Sequence, residues 1–101
     1  ADHLAECHLN RHALVHGRQQ KLARRRPLLK ESTQLEARIA RLETERKALE
    51  VKLADTAYYA QAPSAEVQAT SRRCAEVIAE LGDVEERWLE VHAELEAIGD
   101  A

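Results

Sequence analysis

The stretch VQATSRRCAEVIAELGDVEERWLEVHAELEAI, residues 67–98, decides the fold of this chain. Apolar or small residues recur in it at alternating steps of three and four, namely at Val67, Thr70, Cys74, Val77, Leu81, Val84, Trp88, Val91, Leu95 and Ile98. This spacing places one narrow apolar stripe along a helix, and such a stripe is buried only against another helix. The stretch therefore predicts one helix of a coiled coil.

An earlier stretch, residues 28–53, has the same heptad pattern and supplies the partner helix. Its seam positions, meaning those that face the partner, are Leu28, Ser32, Leu35, Ile39, Leu42, Arg46, Leu49 and Leu53. Residues 55–63 contain no heptad, so the chain is expected to reverse there. The predicted fold is all-α: an antiparallel two-helix coiled-coil hairpin with a basic, partly ordered or helical N-terminal lead.

The expected domains are a lead or linker at residues 1–20 and a hairpin domain at residues 21–101. Within the hairpin, helix 1 is expected over about 21–54, a turn over 55–63 and helix 2 over about 64–98. Pro27 should start or kink helix 1, because proline lacks a backbone donor. Ser64 is the expected N-cap of helix 2, and Gly99 its expected end.

Antiparallel pairing predicts a nearly constant sum of partner residue numbers, here about 120. That register places Ser32 opposite Trp88, where a small side chain leaves room for an indole, and Arg46 opposite Cys74. Trp88 is accordingly expected to pack in the core and to be its largest single contributor. At the turn, Tyr58 and Tyr59 are expected to cover the end of the apolar seam, although a recognition role is the alternative.

Composition restricts the function. The chain has 101 residues, 33% of them charged and 3% aromatic, which is typical of long solvated helices. A first residue other than Met suggests a fragment of a longer protein, and the absence of a long apolar run or signal peptide leads us to expect a cytoplasmic protein without membrane contact. No catalytic set of nucleophile, base and orienting residue can be assembled, so neither an enzyme nor a cofactor is expected, and a small-molecule ligand is not either. His8, His12 and His16 share one helical face but lack a second pair of ligands, so no metal site is predicted.

The net charge of −3 conceals a strong polarity along the chain. Residues 1–30 contain seven basic and two acidic residues, a net charge of +5, whereas residues 31–101 contain eight basic and 16 acidic ones, a net charge of −8. Closely spaced basic side chains can neutralise phosphates and release counterions. The candidate nucleic-acid-binding residues are Arg18, Lys21, Arg24, Arg25, Arg26 and Lys30. A solvated basic face without a ligand is the alternative, and because no aromatic residue lies among these charges, contacts to phosphates rather than base stacking are expected.

Three blocks of sequence resemble a known family. They are LEARIARLE at residues 35–43, LADTAYY at residues 53–59 and ERWLEV at residues 86–91. Together they resemble the C-terminal domain of the ABC-F class of ATP-binding cassette proteins, and most closely the Uup type, over about residues 22–98. The family domain has an Ala-Asp-Pro-x-x-aromatic turn, in which Thr56 replaces the proline and Tyr59 takes the aromatic position.

The resemblance implies that the chain is an antiparallel coiled coil which follows the second nucleotide-binding domain of a tandem-cassette ATPase associated with the ribosome. It also implies contact with those nucleotide-binding domains and, for the Uup type, nucleic-acid binding. No phosphate-binding loop or signature motif is present in this sequence, so ATP binding is not expected. Two hypotheses follow: an accessory module that binds DNA or ribosomal RNA through its basic segment, or a purely structural coiled-coil module for protein interaction or dimerisation.

Overall fold

The computed structural model describes the backbone of residues 2–99 and the side chains of residues 11 and 13–99. It contains three helices within this range: α1 (Asp2–Ala54), α2 (Thr56–Gln61) and α3 (Ser64–Ile98). The two long helices pack side by side, and the molecule is a rod with extents of 88 × 14 × 14 Å. The predicted all-α hairpin is confirmed.

The core of the hairpin consists of seam residues. Among the described residues, the buried apolar side chains all occupy seam positions identified from the sequence: Leu35, Leu42, Cys74, Val77, Leu81, Val84, Val91 and Leu95. Val77 and Val91 are fully enclosed. Trp88 packs against this cluster but is only partly buried, because it lies at the edge of the seam.

Cross-helix contacts define the antiparallel register. Three arginine–glutamate pairs have residue numbers that add to 118, namely Arg87 with Glu31, Arg38 with Glu80 and Arg73 with Glu45. The contacts of Ser32 with His92 and of Trp88 with Glu36 add to 124. The predicted sum of 120 lies between these values, so the register derived from the heptads agrees with the contacts.

The contacts add one detail to the predicted register. The Ser32 hydroxyl lies 2.9 Å from Nε2 of His92, one helical turn beyond Trp88 along α3. The Trp88 indole instead points towards Glu36 and donates Nε1–H to that carboxylate over 3.2 Å. The indole has a polar edge that needs an acceptor, and Glu36 supplies one beside the seam.

Helix α1 begins at Asp2 rather than near residue 21 and continues through Pro27. Proline removes the hydrogen bond to the carbonyl of Ala23, but the residues on both sides favour helix and no glycine follows. A single lost backbone bond therefore does not end the helix. The lead is helical, as the fold prediction allowed, and its separation from the hairpin as a distinct domain stays a prediction.

The reversal contains the short helix α2, where no regular structure was predicted. Asp55 caps it, with a side-chain oxygen that accepts the backbone N–H of Ala57 over 3.0 Å. Tyr58 is half-buried, and its hydroxyl lies 2.9 Å from that of Thr70 on α3. Tyr59 is exposed. Tyr58 alone therefore makes the predicted contact with the end of the hairpin.

The two ends of α3 differ in how well the sequence predicted them. Pro63, not Ser64, is the N-cap, because the Pro63 carbonyl accepts the first helical bonds from Glu66 and Val67 while Ser64 already lies inside the helix. The predicted role of Ser64 is therefore wrong. At the other end Gly99 caps α3 as predicted, with φ of 80° and its N–H bonded to the carbonyl of Leu95.

Candidate nucleic-acid interface

The N-terminal part of α1 extends past the end of α3. Helix α3 ends at Ile98, and the following residue, Gly99, contacts the side chain of Arg25. Residues 2–20 of α1 lie beyond this point, and we call them the overhang. At 1.5 Å per residue the overhang is about 28 Å long. It is a single helix beyond the end of α3, and the exposed side chains described there, Arg11, Leu14, Val15 and Arg18 among them, are available to a partner from outside the hairpin.

The seam of α1 changes character where α3 ends. From Leu28 towards the N-terminus the same alternating steps of three and four lead to Arg25, Lys21, Arg18, Leu14 and Arg11. Four of these five positions are basic, whereas the seam inside the hairpin is mostly apolar. Basic residues at seam positions cannot be buried against an apolar helix without a large desolvation cost. The sequence of α1 therefore suits a paired helix up to Leu28 and an unpaired, positively charged helix before it.

The structure exposes five of the six residues predicted to bind nucleic acid: Arg18, Lys21, Arg24, Arg26 and Lys30. It does not bring all of them to one face. At 100° per residue, Arg18, Lys21 and Arg24 fall within a sector of about 120°, while Arg26 and Lys30 lie on a different side of α1. The sixth residue, Arg25, is partly buried at the end of α3.

These charges have no carboxylate partner along their own helix. No Asp or Glu occurs between Glu6 and Glu31. Ion pairs on a helix form between residues three or four positions apart, and none of the six candidates has an acidic residue at those positions. In α3, by contrast, Arg73 lies near Glu76 and Arg87 near Glu90. The positive charge of the segment is therefore not neutralised by acidic residues along α1 itself.

Arg11 was not among the predicted site residues, although it has the same features. Its side chain is exposed, and positions 7, 8, 14 and 15 around it hold Cys, His, Leu and Val. The signal that identifies it is the acid-free stretch from residue 7 to residue 30, which is visible in the sequence.

Two arginines in the paired part of the hairpin, Arg73 and Arg87, form two-nitrogen ion pairs across the helices. Arg87 donates to Glu31 through two nitrogens at 2.7 and 2.8 Å, and Arg73 donates to Glu45 at 2.6 and 2.9 Å. These hydrogen bonds lower the pKa of the Glu31 and Glu45 carboxyls and raise the pKa of both arginines. Both guanidinium groups are therefore occupied in stabilising the hairpin and are poorly placed for a phosphate.

A polar cluster lies within the core of the hairpin, towards the overhang. Ser32 is buried, and its hydroxyl lies 2.9 Å from Nε2 of His92 and 3.4 Å from Oε1 of Glu36. The imidazole of His92 stacks on the Trp88 indole with ring centroids 4.0 Å apart. Because a hydroxyl donates one proton, Ser32 can bond to both neighbours only if Nε2 of His92 is the donor in its pair. The cluster links α1 and α3 by directional contacts.

The histidines of the lead remain a separate matter. His8 and His12 have side chains outside the described residues, and His16 lies with Nε2 3.1 Å from Nε2 of Gln20. Within the described side chains, no three His, Cys, Asp or Glu residues come together in a way that could hold a metal ion.

Within residues 2–99, none of the helices combines the length and the apolar character that crossing a bilayer requires.

Comparison with known families gives one result. The family model described as ABC transporter C-terminal domain matches residues 20–97. No curated protein and no solved structure matches the chain. The match starts at Gln20, so it covers the hairpin and the candidate residues from Lys21 onwards, and of the overhang it includes only the last residue.

Proposed function

Because the chain belongs to the family of ABC transporter C-terminal domains, it is an accessory, non-catalytic domain of an ATP-binding cassette protein, and we propose that it binds nucleic acid through α1. Its parent would be a cytoplasmic ABC-F protein of the Uup type, and its ligand DNA or ribosomal RNA. The nucleotide-binding domains of the same parent chain would be its other contacts. The hairpin would act as a stiff arm that carries the basic segment.

One observation supports this proposal above the others: the acid-free, basic stretch lies on a helix that extends past its partner. Arg18, Lys21 and Arg24 are exposed on one sector of α1, with no carboxylate three or four residues away. Phosphate groups of a nucleic acid could replace the missing carboxylates, with release of condensed counterions. A rod with its positive charge at one end would dock end-on, because the acidic remainder of the chain is repelled by phosphates.

The salt dependence of binding tests the proposal. If the exposed basic residues neutralise about four phosphates, log K for duplex DNA should fall with log salt at a slope of roughly −3 to −4. Fluorescence anisotropy with duplex DNA, single-stranded DNA and a ribosomal RNA fragment would measure the slope and compare the ligands. Binding should be nearly indifferent to base sequence, since phosphate contacts transmit no sequence information.

A pair of triple variants separates a local site from the effect of overall charge. Replacing Arg18, Lys21 and Arg24 with Gln should make the slope less negative by between roughly two and three. The control replaces Arg41, Lys47 and Arg72 with Gln. These residues are exposed and lie in the paired part of the hairpin, and replacing them removes the same amount of charge. Equal losses in both variants, or no binding by the parent protein at low salt, would contradict the proposal.

The alternative function, a structural interaction module, is favoured by a separate observation. Val15, Leu22 and Leu29 are seven residues apart and 40–51% exposed, so they form an apolar row along α1 outside the seam. A helix from another protein, or from a second copy, could pack on that row. Light scattering that gives the monomer mass at high protein concentration would count against self-association through it.

A further inference from the structure

Arg25 makes contacts that set it apart from the other basic residues of α1. Its Nη1 donates to the carbonyl oxygens of Gly99 at 2.8 Å and Leu95 at 3.3 Å, across the two helices. The last carbonyls of a helix lack partners within it and lie at the negative end of its dipole. The Arg25 guanidinium binds the carbonyl of Gly99 just past α3, joins the Gly99 N–H as a second donor to the Leu95 carbonyl, and is attracted by the dipole. Arg25 therefore clamps the end of α3 to α1.

Arg25 also belongs to a row of arginines on α1. Arg11, Arg18 and Arg25 are seven residues apart, so they lie on one side of the helix at intervals of about 10.5 Å. Helix α3 reaches only the last of them. The partly buried guanidinium of Arg25 is held by carbonyls, whereas Arg18 and Arg11 are exposed on the overhang. The row is thus divided by the point at which α3 ends.

We propose that Arg11 is a phosphate contact of the nucleic-acid interface and that Arg25 is not, an inference that rests on the proposed function. Arg25 is instead a positioning residue that fixes the end of α3 and so defines where the exposed helix begins. The interface then runs outwards along α1, from Arg24 and Lys21 onto the overhang at Arg18 and Arg11. It does not centre on the run Arg24-Arg25-Arg26, which has the highest density of charge in the sequence.

Two single substitutions with the same change of charge test this division. Arg11→Ala should reduce the salt slope of duplex DNA binding by about 0.9 and leave the melting temperature unchanged. Arg25→Ala should leave the salt slope equal to that of the parent. Its melting temperature should fall by roughly 4–8 °C, because the carbonyls of Gly99 and Leu95 lose their bonds to the guanidinium. Arg41→Ala, at an exposed position in the paired region, is the control for both measurements.

The outcomes distinguish this inference from the proposed function. A parent protein that binds, an Arg25→Ala variant with a reduced slope and an Arg11→Ala variant with the parental slope would overturn the inference and leave the proposed function intact. Absence of binding by the parent would overturn the proposed function and the role of Arg11 with it. The clamp is decided independently by the melting temperature, and an unchanged value for Arg25→Ala would overturn it.

Discussion

The three glycines of the chain should respond to alanine in three different ways. Gly82 lies inside α3, is exposed and does not have a positive φ, and a Cβ built on it meets no atom within 4 Å. Alanine is favoured over glycine in a helix interior by about 0.8–1 kcal/mol, and nothing in the packing opposes this gain. Gly82→Ala should therefore stabilise the hairpin by about that amount and raise its melting temperature by roughly 3–8 °C.

Gly99 and Gly17 provide the matched controls for Gly82. Gly99 has φ of 80° and ψ of 178°, a region open almost only to glycine, so Gly99→Ala should destabilise the hairpin by on the order of 1–3 kcal/mol. Gly17 lies on the overhang, where a Cβ also meets nothing within 4 Å. Gly17→Ala should raise the helical signal without moving the hairpin transition, because α3 does not pack there.

Thermal melts followed by circular dichroism at 222 nm measure all three variants. The order of melting temperatures should be Gly82→Ala above the parent and Gly99→Ala below it, with Gly17→Ala equal to the parent. A lower melting temperature for Gly82→Ala would refute the reasoning, because it would require a close neighbour at that position. A stabilising Gly99→Ala would show that α3 continues past Ile98 and that the end of α3 at Arg25 is misplaced.

Two further predictions concern the contacts between the helices. Trp88→Ala should destabilise the hairpin by about 3 kcal/mol in chemical denaturation, which is the low end for a tryptophan because the indole is only partly buried. Trp88→Phe should cost about 1 kcal/mol through loss of the bond to Glu36. Equal losses in the two variants would show that packing of the ring is unimportant. The lowered pKa of Glu31 and Glu45 means that the stability from their arginine bonds is complete above the ordinary carboxyl pKa of 4.5 and is lost as the pH falls through the lowered pKa values. Between pH 7 and pH 3 the melting temperature should therefore drop less for the double variant Glu31→Gln, Glu45→Gln than for the parent. Parallel curves of melting temperature against pH would contradict this.

The fold could be predicted from the sequence because one strong regularity determines it. Heptads in both halves identify the buried residues, and a constant pairing sum orders them, so the core from Leu35 to Leu95 follows without coordinates. The misses involve single interactions that periodicity does not encode. Pro27 does not start helix 1, because one missing donor costs less than the rest of a long helix gains. The N-cap of α3 and the bond of Ser32 to His92 depend on the actual path of the backbone rather than on residue type.

The candidate site could be predicted only in part, since charge density in a sequence does not say where the partner helix stops. The run Arg24-Arg25-Arg26 has the most concentrated charge, yet its middle member is used to cap α3. Two features together determine whether a basic residue is available to bind phosphate: it lies at a seam position, and α3 is absent opposite it. The first can be found in the charge pattern alone, whereas the second also requires the register and the end of α3. Because α3 ends opposite Arg25, the positive seam residues beyond it, Lys21, Arg18 and Arg11, have neither an apolar face of α3 to cover nor a carboxylate three or four residues away on α1 to pair with. A polyanion would satisfy all three, which is why we locate binding on the exposed helix rather than on the hairpin itself.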